Sequence, residues 1–232
     1  MQRARYEIAI FDLDGTLTDS GPGIMRSAEY ALNRFGIKEP DFRKLRAFVG
    51  PPLTATFHDL YGIEGEDLRR AVAYFRERYL VTGVFENSVY EGVIPTLDRL
   101  REAGVLTGVA SSKPHHLVEQ VLDHFGLVAR FDVVLGSDPE YENTNRVVKS
   151  DKSEILGIVA DRLEAMAGGS PRAPRAVMIG DRDNDILAAK EHGMDSIGVL
   201  YGYAEKNELA DAGADYLVQS AEEIASVILN FG

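Results

Sequence analysis

Short apolar runs recur along the chain, and each stops at polar or turn-forming residues. Residues 7–12 (EIAIFD) open the pattern, with the apolar positions cut off by Asp12. A continuous apolar run of this length suits a strand buried on both faces of a parallel sheet. Residues 105–110 (VLTGVA), 131–135 (FDVVL) and 176–179 (AVMI) have the same look, and 196–200 (SIGVL) and 214–218 (ADYLV) add two more. Helical spacing lies between them. The patterns at 93–103, 114–125 and 183–192 end at Gly104, Gly126 and Gly193, where a helix C-terminus favours a left-handed residue. Asp151 with Glu154, and Ser220 with Glu223, have capping-box spacing at helix starts. Strands alternating with helices predict an α/β fold, a doubly wound parallel sheet of the Rossmann-like kind.

One stretch breaks the alternation. Between residues 21 and 88 there is helical periodicity and no convincing strand. Pro22 suits a first helical position and Gly36 ends that helix. Pro51-Pro52 starts a second, and residues 66–82 make a third. So much helix between the first two strands exceeds a simple crossover. It predicts an all-helical cap domain (21–88) inserted into a core formed by residues 1–20 and 89–232, with hinges near 19–21 and 87–92.

Composition narrows the function. The chain has 232 residues, 45% of them apolar, enough for a buried core. Its net charge of −12 repels nucleic-acid polymers and anionic membranes, while leaving room for a small phosphorylated metabolite in a local positive pocket. Cysteine is absent, which removes disulfides, thiolate nucleophiles and zinc–thiolate sites and suits a cytoplasmic location. No run approaches the ~18 apolar residues of a membrane span, and the first run is too short for a secretory signal.

Four polar clusters carry candidate chemistry. Asp12-Leu13-Asp14-Gly15-Thr16 follows the first predicted strand, where the carboxyl end of a parallel strand faces the ligand crevice. In such a turn both carboxylates can converge. Two like charges ~4 Å apart repel by ~4 kcal/mol at a surface-like dielectric, so convergence needs a cation or a shared proton, and a hard oxygen cluster suits Mg²⁺. The bland alternative is a solvated acidic turn. Gly180-Asp181-Arg182-Asp183-Asn184-Asp185 repeats the arrangement after AVMI: Asp181 and Asp185, four apart, share a helix face, while Asp183 looks like a cap. Ser111-Ser112-Lys113-Pro114 precedes a predicted helix and reads as an anion site or as an ordinary N-cap. Lys152 begins a helix after the polar segment 138–150, with Lys149 a nearby competitor.

These clusters, in this order, resemble the haloacid-dehalogenase-like hydrolase superfamily over essentially the whole chain. Asp12 and Asp14 match its first motif, Ser111 its second, Lys152 its third, and Asp181 with Asp185 its fourth. The stretches 48–53 (FVGPPL) and 197–203 (IGVLYGY) are similar to the phosphoglycolate-phosphatase-like subgroup, whose relatives include 5′-nucleotidases. Ser112 departs from the asparagine of many relatives, and 138–150 is longer than usual, which keeps Lys149 in play beside Lys152.

The resemblance implies a phosphatase. Asp12 would attack phosphorus, and Asp14 would protonate the leaving oxygen and then activate water. Mg²⁺ would sit on Asp12, the Asp14 carbonyl oxygen, Asp181 and Asp185. Lys152 and Ser111 would hold the phosphoryl oxygens, with Ser112, Gly15 and Thr16 beside them. Gly50 and Pro51 in a stiff cap loop, with Arg46, are candidate substrate contacts. Asp14 argues against a dehalogenase, which has no leaving oxygen to protonate. A phosphomutase of the β-phosphoglucomutase type and a non-catalytic metabolite-binding regulator remain as alternatives. Phosphoglycolate, a nucleoside monophosphate and a sugar phosphate all stay open as substrates, and monomer and homodimer as assemblies.

Overall fold

In the computed structural model, which describes residues 4–138, 152–168 and 175–230, six strands form one parallel sheet. They are β1 (Ile8–Phe11), β2 (Leu106–Pro114), β3 (Val133–Ser137), β4 (Ala176–Gly180), β5 (Asp195–Val199) and β6 (Tyr216–Val218). Their order is β3-β2-β1-β4-β5-β6. The chain winds outward from β1 through β2 to β3, then returns to the other side of β1 for β4 to β6. The strand order reverses between β1 and β4, the place where open α/β sheets bind ligands. The register there pairs Ile10 with Met178 and Phe11 with Ile179, and the Asp12 amide extends the ladder to the Ile179 carbonyl at 2.9 Å.

Each face of β1 explains a helical layer. Ile8 and Ile10 pack in one buried cluster with Ile155, Leu156, Val159 and Leu163 of α6 (Lys152–Ala167) and Ala188 and Ala189 of α7 (Asp183–Glu191). Ala9 and Phe11 point the other way, into a cluster with Leu97 of α4 (Val93–Glu102), Val118 of α5 (His115–His124) and Ile224 of α9 (Ala221–Leu229). Burial on both faces is why β1 reads as an unbroken apolar run.

Between β1 and α4 lie α1 (Gly21–Arg34), α2 (Leu53–Tyr61) and α3 (Gly65–Tyr79), with 3₁₀ turns at Phe42–Phe48 and Gly83–Phe85. This stretch between β1 and α4 holds no named strand. Its buried Ile24, Phe48, Phe57 and Phe75 continue the second cluster. Two chain crossings join it to the sheet domain, and they are laced together: Asp19 N donates to Ser88 O at 2.7 Å, and Tyr90 N to Leu17 O at 3.2 Å.

Several local expectations are corrected. β3 begins at Val133, two residues later than the pattern suggests. The Ser111–Pro114 cluster is strand rather than helix cap, because β2 runs on to Pro114 and α5 starts only at His115, with no side-chain cap. Arg182, not Asp183, occupies the N-cap of α7. Ser220 is the N-cap of α9 but makes no side-chain bond there; Glu223 instead accepts from the Gln219 amide at 2.9 Å. Asp151 and Lys149 lie outside the described residues.

Candidate active site

The Asp12–Thr16 and Gly180–Asp185 clusters meet at the strand-order reversal. Asp12 leaves the end of β1, and Asp181 leaves the end of neighbouring β4. In the first turn of α7, Asp185 faces them. The carboxylates of Asp12, Asp181 and Asp185 are all buried, with one oxygen from each lying within 4.8 Å of the others. Lys152 at the start of α6 reaches into this group: Nζ is 2.5 Å from Asp12 Oδ1 and 2.9 Å from Asp185 Oδ1, and it donates to the Ala110 carbonyl at 2.9 Å. Three carboxylates against one ammonium leave two negative charges uncompensated in a buried space.

The electrostatics follow. Burial pushes the Asp12 carboxyl up to about 6; Lys152 opposes that shift, while the Asp185 and Asp14 charges add to it. Burial also drives Asp181 well above the usual carboxylate range, reinforced by Asp12 and Asp185 and opposed by the Tyr203 amide. For Lys152 burial acts downward, but the Asp12 and Asp185 charges outweigh it and the net shift is upward. Buried like charges at this spacing are costly, and a divalent cation with hard oxygen ligands is the partner that removes the cost. The donor set therefore fits Mg²⁺.

Glycines make the close approach possible. Gly15 has φ +88°, and a Cβ there would collide with the Asp181 carboxylate; Gly202, beyond β5, meets the same side chain from the other side. Asp181 is then fixed by the Tyr203 amide at 2.7 Å and by Thr16 Oγ1 at 3.5 Å.

The predicted site residues divide. Asp12, Asp181, Asp185 and Lys152 converge. Asp14 does not join them through its carboxylate. It turns to Lys113, whose Nζ donates to Asp14 Oδ2 at 2.5 Å and Oδ1 at 2.7 Å. The two carboxylates of the Asp12–Thr16 turn thus diverge to separate lysines. Ser111 is buried at the end of β2 and its hydroxyl accepts from the Lys113 amide at 3.3 Å. The Ser112 hydroxyl is buried without a hydrogen-bond partner among the described residues. Gly15 and Thr16 are turn and packing elements: the Gly15 amide donates to Thr18 O at 2.8 Å, and the Thr16 carbonyl accepts from Tyr201 OH at 2.9 Å.

Beside Asp14 and Lys113 opens a cleft walled by side chains of β2 and of the helices between β1 and α4. Gly50 and Pro51 line it, together with Phe48, Phe75, Arg76 and Tyr79. Arg46 sits elsewhere, over the Tyr203 ring at 5.4 Å and 3.5 Å from the Gly202 carbonyl. Sequence reasoning missed Lys113, Arg182 and the aromatic lining. Lys113 lay inside a singled-out cluster, but a lysine after two serines gives no sign of a buried partner. Arg182 donates to Glu208 Oε1 and to Val49 O, each at 2.7 Å, so it ties the start of α7 to the loop before α2.

The family model for haloacid dehalogenase-like hydrolases matches residues 9–199. The chain is 39% identical over 205 residues to a 5′-nucleotidase of Pseudomonas aeruginosa, covering 88% of this chain and 87% of that protein. It is 36% identical over 197 residues to the tyrosine-protein kinase PtkA of Mycobacterium tuberculosis, covering 85% of this chain but 63% of that longer protein. A phosphoglycolate phosphatase of Vibrio parahaemolyticus is 28% identical and aligned over 98% of both chains. Among solved structures, a predicted phosphatase from Clostridium acetobutylicum superposes with a TM-score of 0.85 at 37% identity, covering 97% of this chain and 99% of that one.

Proposed function

Because this chain belongs to the haloacid dehalogenase-like hydrolase family, we propose that it is a Mg²⁺-dependent phosphatase that hydrolyses a small phosphate monoester through an aspartyl-phosphate on Asp12. The observation that carries this reading is the buried group of Asp12, Asp181 and Asp185 with Lys152, two charges short of neutrality, at the strand-order reversal. Asp12, the Asp14 carbonyl, Asp181 and Asp185 would hold the ion. When bound, the cation neutralises charge between nucleophile and phosphate. Everything else falls to the chain itself. Asp12 attacks phosphorus in line, a known role for a carboxylate. Asp14 gives its proton to the leaving oxygen as the bond to phosphorus breaks, then takes one from the water that hydrolyses the intermediate. Lys152 stabilises phosphoryl oxygens, with Ser111 and the unpartnered Ser112 hydroxyl as donors.

Residues 21–88 form the cap in this reading, hinged at the laced crossings, and close over substrate to exclude water. The Phe48, Phe75 and Tyr79 lining favours a leaving group with an apolar or planar part, such as a nucleoside, over glycolate, which adds a carboxylate to the phosphate. The protein acts in the cytoplasm as a monomer or homodimer. No described helix is long and apolar enough to cross a membrane, and no cysteine needs an oxidising compartment.

A transferase reading draws on the likeness to PtkA, and the mutase alternative shares the same chemistry up to the intermediate. One assay separates them. Inorganic phosphate release from a panel of nucleoside, sugar and glycolate phosphates is measured with Mg²⁺ or EDTA, on wild type and Asp12→Asn. Release that needs Mg²⁺ and disappears in Asp12→Asn supports the phosphatase. Label moving from ester to sugar or protein without phosphate release overturns it.

A further inference from the structure

Tyr203, in the loop after β5, has no role in the mechanism above, and it is nine-tenths buried. Its two ends reach different places. The backbone amide donates to Asp181 Oδ2 at 2.7 Å. The phenol donates to Asp19 Oδ1, on the crossing that leads from β1 into α1. The Gly21 amide and the Tyr90 side chain also bond to this phenol, and Tyr90 sits on the crossing that returns to α4. One phenol therefore ties both crossings together. Nearby Tyr201 repeats the link: its hydroxyl donates to Thr16 O at 2.9 Å, and its ring lies 4.7 Å from that of Tyr90. The approach is close at each end. A Cβ on Gly21 would collide with the Tyr203 hydroxyl, and one on Gly202 with Asp181. Other side chains give the first crossing little support, since the Thr18 and Ser20 hydroxyls are buried with no partner among the described residues. Arg46, from the 3₁₀ turn at Phe42–Phe48, completes the contacts by lying over the Tyr203 ring at 5.4 Å.

From this geometry we infer that Tyr203 is a positioning residue that joins the metal-holding Asp181 to the two crossings on which the cap turns. The inference rests on the proposed phosphatase, in which Asp181 holds the ion and residues 21–88 close over substrate. A cation that fixes the Asp181 carboxylate fixes the acceptor of the Tyr203 amide. The loop then loses freedom, and the phenol at its far end holds the crossings more firmly. Coupling of this kind needs no new contact, because ordering one end of a packed residue lowers the cost of ordering the other. By linkage, a cap held closed by substrate favours the metal in turn.

The test is amide hydrogen exchange of the full chain, in EDTA or in Mg²⁺, for wild type, Tyr203→Phe and Asp19→Ala. The reporters are the Asp19 and Tyr90 amides, which lace the crossings through Ser88 O and Leu17 O. In wild type Mg²⁺ slows their exchange. Tyr203→Phe keeps the ring and the amide bond to Asp181, and loses only the phenol bonds. Its reporter amides should exchange about tenfold faster, the scale of one hydrogen bond to a charged group, and Mg²⁺ should no longer slow them. Asp19→Ala, at the other end of the same bond, should match it. The Ile10 and Met178 amides, paired in β1 and β4, should exchange as in wild type, and KM should rise more than kcat falls. Equally faster exchange at Ile10 and Met178 would make Tyr203 a fold support and overturn the inference, as would reporters unchanged in either variant or still slowed by Mg²⁺ in Tyr203→Phe. Calorimetry on the wild type separates the two readings. No binding of Mg²⁺ overturns the phosphatase reading and this inference with it. A wild type that binds Mg²⁺ and releases phosphate, with no slowing at the crossings, overturns the inference alone.

Discussion

Replacing Lys152 with methionine keeps the side-chain length and, among the described residues, removes the one ammonium touching the three-carboxylate group. At 2.5 Å from Asp12 and 2.9 Å from Asp185, each contact is worth about 6 kcal/mol gross at an effective dielectric near 20. Desolvation of the lysine cancels much of this in wild type. Removing one partner of a buried pair leaves the other charge stranded and costs about 3–5 kcal/mol. For a chain of this length that corresponds to a fall in melting temperature of roughly 10 °C in EDTA. The variant's cluster then carries three uncompensated charges instead of two, so it should bind Mg²⁺ more tightly than wild type. A ligand present at about 100 times its dissociation constant adds about 2.7 kcal/mol to stability, and tighter binding adds more. Melting curves with EDTA and across a Mg²⁺ series should show a deeper drop without metal and a larger rise with it, while phosphatase turnover stays abolished. A drop below about 1 kcal/mol without metal, or a Mg²⁺-induced rise no larger than in wild type, refutes the charge accounting.

Asp12→Asn should remove turnover and stabilise the metal-free protein. Folded Asp12 titrates near 6 against an ordinary value of 3.8, so the folded state binds more protons in that window and stability falls as pH rises through it. In EDTA the variant should therefore exceed wild type at pH 7, with the gap narrowing on acidification to about pH 4; urea unfolding across pH that shows the gap widening instead contradicts this sign. Gly15→Ala should cost about 2–4 kcal/mol, from the left-handed φ and the collision with Asp181, and weaken Mg²⁺ binding measured by calorimetry. Undiminished stability and affinity would mean that Asp181 yields freely. Arg182→Ala loses the bonds to Glu208 and the Val49 carbonyl and should cost about 2 kcal/mol. Because it frees the cap loop rather than the nucleophile, KM should rise more than kcat falls; the reverse pattern would place Arg182 in the chemistry.

Much of this protein was determined along the chain itself. Parallel strands buried on both faces must be apolar throughout, so β1 and β4 announce themselves, and a carboxylate directly after each is legible as a crevice residue. The helical insertion is legible because nothing in 21–88 has the composition of a strand. Lys152 was found through position in a family pattern, not through any property of a lysine. What the tertiary structure alone decided is the pairing of charges. Asp12 and Asp14 are two residues apart and look like one acidic site, yet they bind different lysines, 140 and 99 residues away. Long-range pairing depends on strand order, on the slip between β2 and β3, and on which side chains burial leaves no other partner. None of these is a local property, because the same short turn could point its second carboxylate toward the metal group or away from it. The cleft is decided the same way: Phe48, Phe75 and Tyr79 read from sequence as ordinary core residues of amphipathic helices and turns, and only the packing of the insertion over the sheet domain turns one edge of that core into the wall of a binding site.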